Sequence, residues 1–122
     1  MRNEKEVIKL IENNLDPLEI NKKRKQNLSV SFTPDKTIQS LSFLKSNSYK
    51  HLSTISCVDW IDDNEFELVY HLFSYEDYIN ISVKTRIDRD KATFVTLKEI
   101  WPVAEFYERD IHDFFGVEFE GN

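Results

Sequence analysis

Two adjacent runs, Phe66 to Phe73 and Tyr78 to Ile87, constrain this chain more than any other feature. In the first, Phe66, Leu68, Tyr70 and Leu72 alternate with Val69 and Phe73, so apolar side chains point to both faces. Such a strand is covered on both sides and lies inside a sheet. In the second, Ile79, Ile81, Val83 and Ile87 alternate with Asn80, Ser82, Lys84 and Arg86, the period of a strand with one buried face. Tyr75-Glu76-Asp77 supplies a turn between them, so the pair predicts an antiparallel hairpin. The rest of the chain must pack around a sheet.

The flanking segments fit that plan. Val7, Ile8, Leu10 and Ile11, followed by Leu15, predict a short amphipathic helix from Glu4 to Asn13, ended by Pro17. Leu28, Val30 and Phe32 alternate with Asn27, Ser29 and Ser31 and predict a half-buried strand. Thr33 can cap a helix with Pro34 at its first position, and Ile38, Leu41 and Leu44 carry helical spacing to Ser46. After a turn at Asn47-Ser48-Tyr49, His51 to Trp60 reads as a strand with Leu52, Ile55, Cys57 and Val58, and Asp62-Asp63-Asn64 as a turn. The basic run Lys22-Lys23-Arg24-Lys25 is expected in a loop, either as a solvated turn or as a docking point for an acidic partner.

At 122 residues there is material for one core. The expectation is a single α+β domain with a mixed or antiparallel sheet, a central hairpin and two to three helices. Residues 1–26 would be helix and basic loop, 27–95 the sheet-rich core, 96–116 a C-terminal helix and 117–122 a tail. Composition removes several functions. Only Gly116 and Gly121 are glycines, too few for a phosphate-cradling loop or a dinucleotide fingerprint. Cys57 alone makes neither an internal disulfide nor a cysteine-based zinc or iron–sulfur site. A net charge of −6 argues against a general nucleic-acid binder. Met1 to Leu10 holds no hydrophobic signal core, and no window approaches the roughly 20 apolar residues of a membrane span. These features lead to the expectation of a soluble, cytoplasmic chain.

The C-terminal segment is the most informative. Thr96 and Glu99 have capping-box spacing, Pro102 forces a bend at Trp101–Pro102, and a helix should then run to about Phe114. Val103, Tyr107, Ile111 and Phe114 fall on one stripe, and Glu105, Glu108, Arg109, His112 and Asp113 on another. Arg109 lies four residues from both Glu105 and Asp113, and Gly116 suits a left-handed cap. Two readings of the polar stripe compete: an ordinary solvated face, or a docking surface made of these charges and the neighbouring aromatics, with Arg109 held to pair across an interface. Glu105, Glu108 and His112 describe either an ordinary polar face or part of a metal site. Cys57 in an apolar strand reads as a small hydrophobe rather than a nucleophile, and His51 and His71 as packed or hydrogen-bonded.

The run from Trp101 to Val117, with the pattern Pro-x-Ala-x-x-x-Glu-Arg-x-x-x-Asp-x-Phe-Gly, resembles the signature of the C-subunit, or thirty-kilodalton, family of respiratory complex I. That family includes homologues in membrane-bound energy-converting nickel–iron hydrogenases. The strand ending Val58-Asp59 and the 66–87 hairpin also resemble it, so the likeness covers roughly Pro34 to Gly121. The resemblance places Pro102, Ala104, Glu108, Arg109, Asp113, Phe115 and Gly116 at motif positions; with Glu105, these form the expected subunit-interface set. It implies no catalytic, cofactor-binding or metal residue in this chain. The nickel–iron centre and iron–sulfur clusters would sit on partners: a hydrogenase or 49-kDa-like large subunit and an iron–sulfur small subunit. It implies a hetero-oligomer, without nucleic acid or direct membrane insertion, at the cytoplasmic side of the membrane. Asp110 stands where the family usually has Glu. The family's quinone reductases extend past the glycine into a His-Pro and Leu-Arg tail, and the stop at Gly121-Asn122 is read as favouring the hydrogenase branch.

Overall fold

A computed structural model describes residues 1–122. Its elements are α1 (Glu4–Asn14), β1 (Glu19–Arg24), β2 (Asn27–Phe32), α2 (Pro34–Ser46), β3 (His51–Trp60), β4 (Glu65–Ser74), β5 (Ile79–Asp88), β6 (Thr93–Val95), α3 (Ala104–Phe115) and β7 (Glu118–Glu120), with a 3₁₀ turn at Ile61–Asp63. The five-stranded sheet has the order β1-β2-β5-β4-β3. The hairpin of β4 and β5 is central, with every residue from Glu65↔Asp88 to Ser74↔Ile79 in register. Within this sheet only the β2–β5 pair is parallel, so the sheet is mixed. The α+β expectation holds.

Each predicted helix forms for a visible reason. Asn3 accepts from the Glu6 amide at 2.9 Å and Glu6 reaches back to the Asn3 amide, closing a capping box on α1. Val7 and Ile11 then turn inward and are fully buried. Pro34 opens α2 as expected, but the Thr33 hydroxyl makes no cap bond; the Thr33 carbonyl accepts from the Thr37 hydroxyl instead. The inner face of the sheet presents Leu28, Val30, Phe32, Leu68, Tyr70, Leu72, Ile81 and Val83 to one continuous core, which Leu41 and Leu44 of α2 and Ile111 of α3 complete.

Two expectations fail here. Of the basic run only Lys25 lies in a turn: Lys22, Lys23 and Arg24 belong to β1, which pairs antiparallel with β2 at the sheet edge. Backbone pairing made this a strand despite side chains that have no apolar alternation. The 117–122 tail also contains a strand, because β7 pairs parallel with β6 in a second, two-stranded sheet that buries Phe94 and Phe119.

Candidate functional site

The segment before α3 is shorter in helix and richer in turns than its spacing predicts. Thr96 caps nothing at Glu99. Instead Ile100 and Trp101 both donate to the Leu97 carbonyl, at 2.9 and 2.8 Å, forming a tight turn. Trp101 is buried and its indole N–H donates to the Lys50 carbonyl at 2.8 Å, tying the turn to the start of β3. Pro102, which has no N–H to give, stands outside the helix at the expected bend. At the other end Gly116 has φ +77° and its amide donates to the His112 carbonyl, the left-handed cap predicted.

The structure reassigns the faces of α3. Ala104, Glu108 and Ile111 are the buried residues, so of the expected apolar stripe only Ile111 is in the core. Val103, Phe106 and Phe114 face solvent, at 40%, 60% and 86% exposure. Phe115 is partly covered and meets Phe66 edge-on at 5.6 Å. Glu108, expected on the polar stripe, is fully buried. Its carboxylate accepts from the Thr96 hydroxyl at 2.5 Å, the Leu97 amide at 2.8 Å and the Asn122 side chain at 3.0 Å. Burial, then the charge of Glu108, pushes the Tyr70 phenol well above its ordinary value. That hydroxyl has no hydrogen-bond partner.

Among the remaining motif residues, Arg109 approaches Glu105 at 3.7 Å and forms no ion pair with Asp113, so it is not held between two carboxylates. Asp113 is exposed. His112 donates from Nδ1 to the Val117 carbonyl at 2.9 Å. With Glu108 turned inward and His112 engaged here, Glu105, Glu108 and His112 do not converge on a metal-holding group. Cys57 is half-buried, and burial followed by the nearby Asp59 raises its thiol to about 11, which disfavours the nucleophilic thiolate at neutral pH. His71 lies on the open sheet face between the Ser56 hydroxyl at 3.0 Å and the Ser82 hydroxyl at 3.3 Å. Burial, then Lys84, holds its pKa below the ordinary histidine value.

Sequence periodicity missed Val103, Phe106 and Phe114 as a surface feature. A signal existed: Phe106, Ile111, Phe114 and Phe115, with Val103 just ahead of the first turn, spread apolar residues over too much of a 12-residue helix for one buried stripe. Thus α3 has three faces: a buried one pinned by Glu108, a charged one with Glu105, Arg109 and Asp113, and an exposed aromatic one.

The profile of the family described as the 30-kDa subunit of respiratory-chain NADH dehydrogenase matches residues 30–122. The chain belongs to this family. It is 31% identical to the C-subunit of the NADH-quinone oxidoreductase of Roseiflexus castenholzii over 78% of its own length and 57% of the relative's. It is 29% identical to the C-subunit of the F420H2 dehydrogenase of Methanosarcina mazei over 72% of its length and 56% of the relative's. It therefore spans little more than half of these relatives. A chain in the structure of an archaeal respiratory membrane complex, the membrane-bound sulfane sulfur reductase, superposes with a TM-score of 0.88 at 42% identity, covering 98% of this chain and 71% of that one. Within the family motif, Ala104, Glu108, Phe115 and Gly116 shape and seat the helix, whereas Glu105, Arg109 and Asp113 line its outward charged face. No helix is long and apolar enough to cross a membrane.

Proposed function

We propose that this chain is a docking subunit, with no redox centre of its own, in a membrane-associated respiratory complex of the complex I type. The carrying observation is α3: a helix seated by Glu108 and Gly116 that turns Val103, Phe106 and Phe114 to solvent beside Glu105, Arg109 and Asp113. Exposed aromatics flanked by an arginine suit a protein interface, where such residues are enriched. Family membership supports a partner drawn from a multi-subunit complex. In the finer reading the complex is an energy-converting nickel–iron hydrogenase on the cytoplasmic side of the membrane. There the chain clamps the large catalytic subunit, and the nickel–iron centre and the clusters belong to that subunit and an iron–sulfur neighbour. A second reading, favoured by the 42% identity to the sulfane sulfur reductase chain, is the same docking role with another electron acceptor.

The test is affinity purification through a tag on this chain from its native host. The large subunit should be recovered with the wild-type chain. Arg109→Ala and the pair Phe106→Ser, Phe114→Ser should each lower its recovery without unfolding the isolated chain, because these side chains are exposed. Full recovery and activity in both variants would sink the docking role. Nickel in the recovered large subunit selects the hydrogenase reading; a large subunit without nickel selects the second. Stoichiometric metal in the isolated chain would overturn both.

A further inference from the structure

We propose that the outer edge of β3 takes an added strand, an extended and basic segment of a neighbouring subunit. This rests on the docking reading above and deepens it by naming a second point of attachment and its chemistry.

The two edges of the five-stranded sheet are built differently. At β1 the edge is six residues long, carries Lys22, Lys23 and Arg24, and is broken by a register shift between Lys22 and Arg24. Charges and bulges of this kind keep a free edge from pairing with another chain. At β3 the edge is ten residues long, and His51 to Val58 contains no Lys, Arg, Asp, Glu, Pro or Gly. Its one bulge, at Ser53 between Leu52 and Thr54, is closed by the Tyr107 hydroxyl donating to the Ser53 carbonyl at 2.9 Å. From Thr54↔His71 to Trp60↔Glu65 the pairing with β4 is unbroken, and β3 has no strand on its other side. That leaves about 23 Å of regular, unpartnered edge at the usual rise per residue. Between Ser56 and Trp60 no side chain hydrogen-bonds the backbone.

A row of free N–H and C=O groups is matched by another extended backbone. Side-chain chemistry narrows the occupant. Val58, Trp60 and Ile61 are exposed at 39%, 40% and 67%, a small apolar platform at the end of the edge. The Trp60 ring is fixed from one side by the Arg86 guanidinium, 4.5 Å from its centroid. Around this end stand Asp59, Asp62, Asp63, Glu65 and Glu67, against Arg86 and Arg89. Arg86 pairs with Asp63, Glu65 and Glu67, and Arg89 with Asp59, which leaves Asp62 unpaired and the end net acidic. A strand with apolar side chains and Lys or Arg near this end complements it. A second copy of this chain fits less well, because each copy carries a net charge of −6.

Hydrogen–deuterium exchange on the isolated full chain and on the complex purified through it tests the proposal. In the isolated chain the outward amides of Thr54–Trp60 should exchange fast. In the complex they should slow by at least about 10-fold. Ser56 and Cys57 are neighbours in a strand, so only one of them directs its N–H outward. Proline at that residue removes a donor β4 does not use; it should leave the fold intact and abolish the added protection. Proline at the other residue is the folding control. If the large subunit is recovered with the chain and these amides stay fast, this proposal falls and the docking reading stands. If nothing is recovered with it, both fall. If the isolated chain is already protected and dimeric at high concentration, the occupant is a second copy and the proposal is overturned.

Discussion

Glu108 is surrounded only by donors: a hydroxyl, a backbone amide and a side-chain amide. Such a site is built for a carboxylate and needs no cation. Glu108→Ala leaves the buried Leu97 amide unpaired and opens a cavity, and it should destabilise the chain by about 3 kcal/mol in urea denaturation. Glu108→Gln keeps the shape and can still accept from Leu97, but its NH₂ must face the Thr96 hydroxyl or Asn122. Its cost should be roughly 1 kcal/mol. Equal losses for the two variants would show that the second acceptor oxygen, and not the side chain's volume, holds the site together. His71 provides the pH signal. Its folded pKa lies below the ordinary 6.5, so the folded state binds fewer protons than the unfolded one in that window. Stability should be fully present above the unfolded value and decline as pH falls below 6.5. His71→Asn should flatten that part of the curve when urea midpoints are compared from pH 7.5 to 5.

At the level of elements, Gly116 sets where α3 stops. Its φ is +77°, and a Cβ placed there would meet nothing within 4 Å. The cost of Gly116→Ala is therefore conformational, about 1–2 kcal/mol for an alanine in left-handed backbone, offset in part by its stiffer unfolded chain. A net loss of about 1 kcal/mol with an unchanged urea dependence is expected, and Gly116→Asn should lose less. An unaffected alanine variant would mean the helix end relaxes. This cap was legible in the sequence because glycine scarcity made its position stand out. α1, α2 and β2 to β5 were equally legible, since each carries at least three apolar residues at one period. β1 was not, because Glu19 to Arg24 has Ile20 as its only apolar residue and becomes a strand through pairing with β2. β6 and β7 have three residues each, too few to display a period. The faces of α3 were misjudged for a different reason. What decides them is a bond between Glu108 and Leu97, and local helical spacing treats any glutamate as a solvent-facing residue.

Across the whole molecule, the N-terminal 14 residues belong to the core although they lie outside the family match. The family match begins at residue 30, yet Val7 and Ile11 are fully buried in the cluster that holds Leu28, Leu41 and Ile81. The helix is also tied down at its start. Arg2 Nε lies 3.0 Å from Asp77, a residue that also accepts from the Tyr49 hydroxyl at 3.1 Å, and Glu4 meets Lys22 at 2.6 Å. Burying two aliphatic side chains contributes about 3–6 kcal/mol. Losing Arg2 leaves the Asp77 carboxylate without its cation, a further cost of the same sign. A small domain typically has about 5–15 kcal/mol in total. Removing residues 1–14 should therefore bring the chain to the edge of unfolding, visible as lost cooperativity and a collapsed urea midpoint. Ile11→Ala alone should cost about 2–5 kcal/mol while keeping a cooperative transition, which separates core loss from loss of the fold. A truncated chain within about 1 kcal/mol of the full one would mean that the sheet and its other two helices close the core without α1. The intermediate case is informative about function as well. If truncation unfolds the isolated chain but not the chain within its complex, the docking partner supplies by mass action what α1 supplies alone.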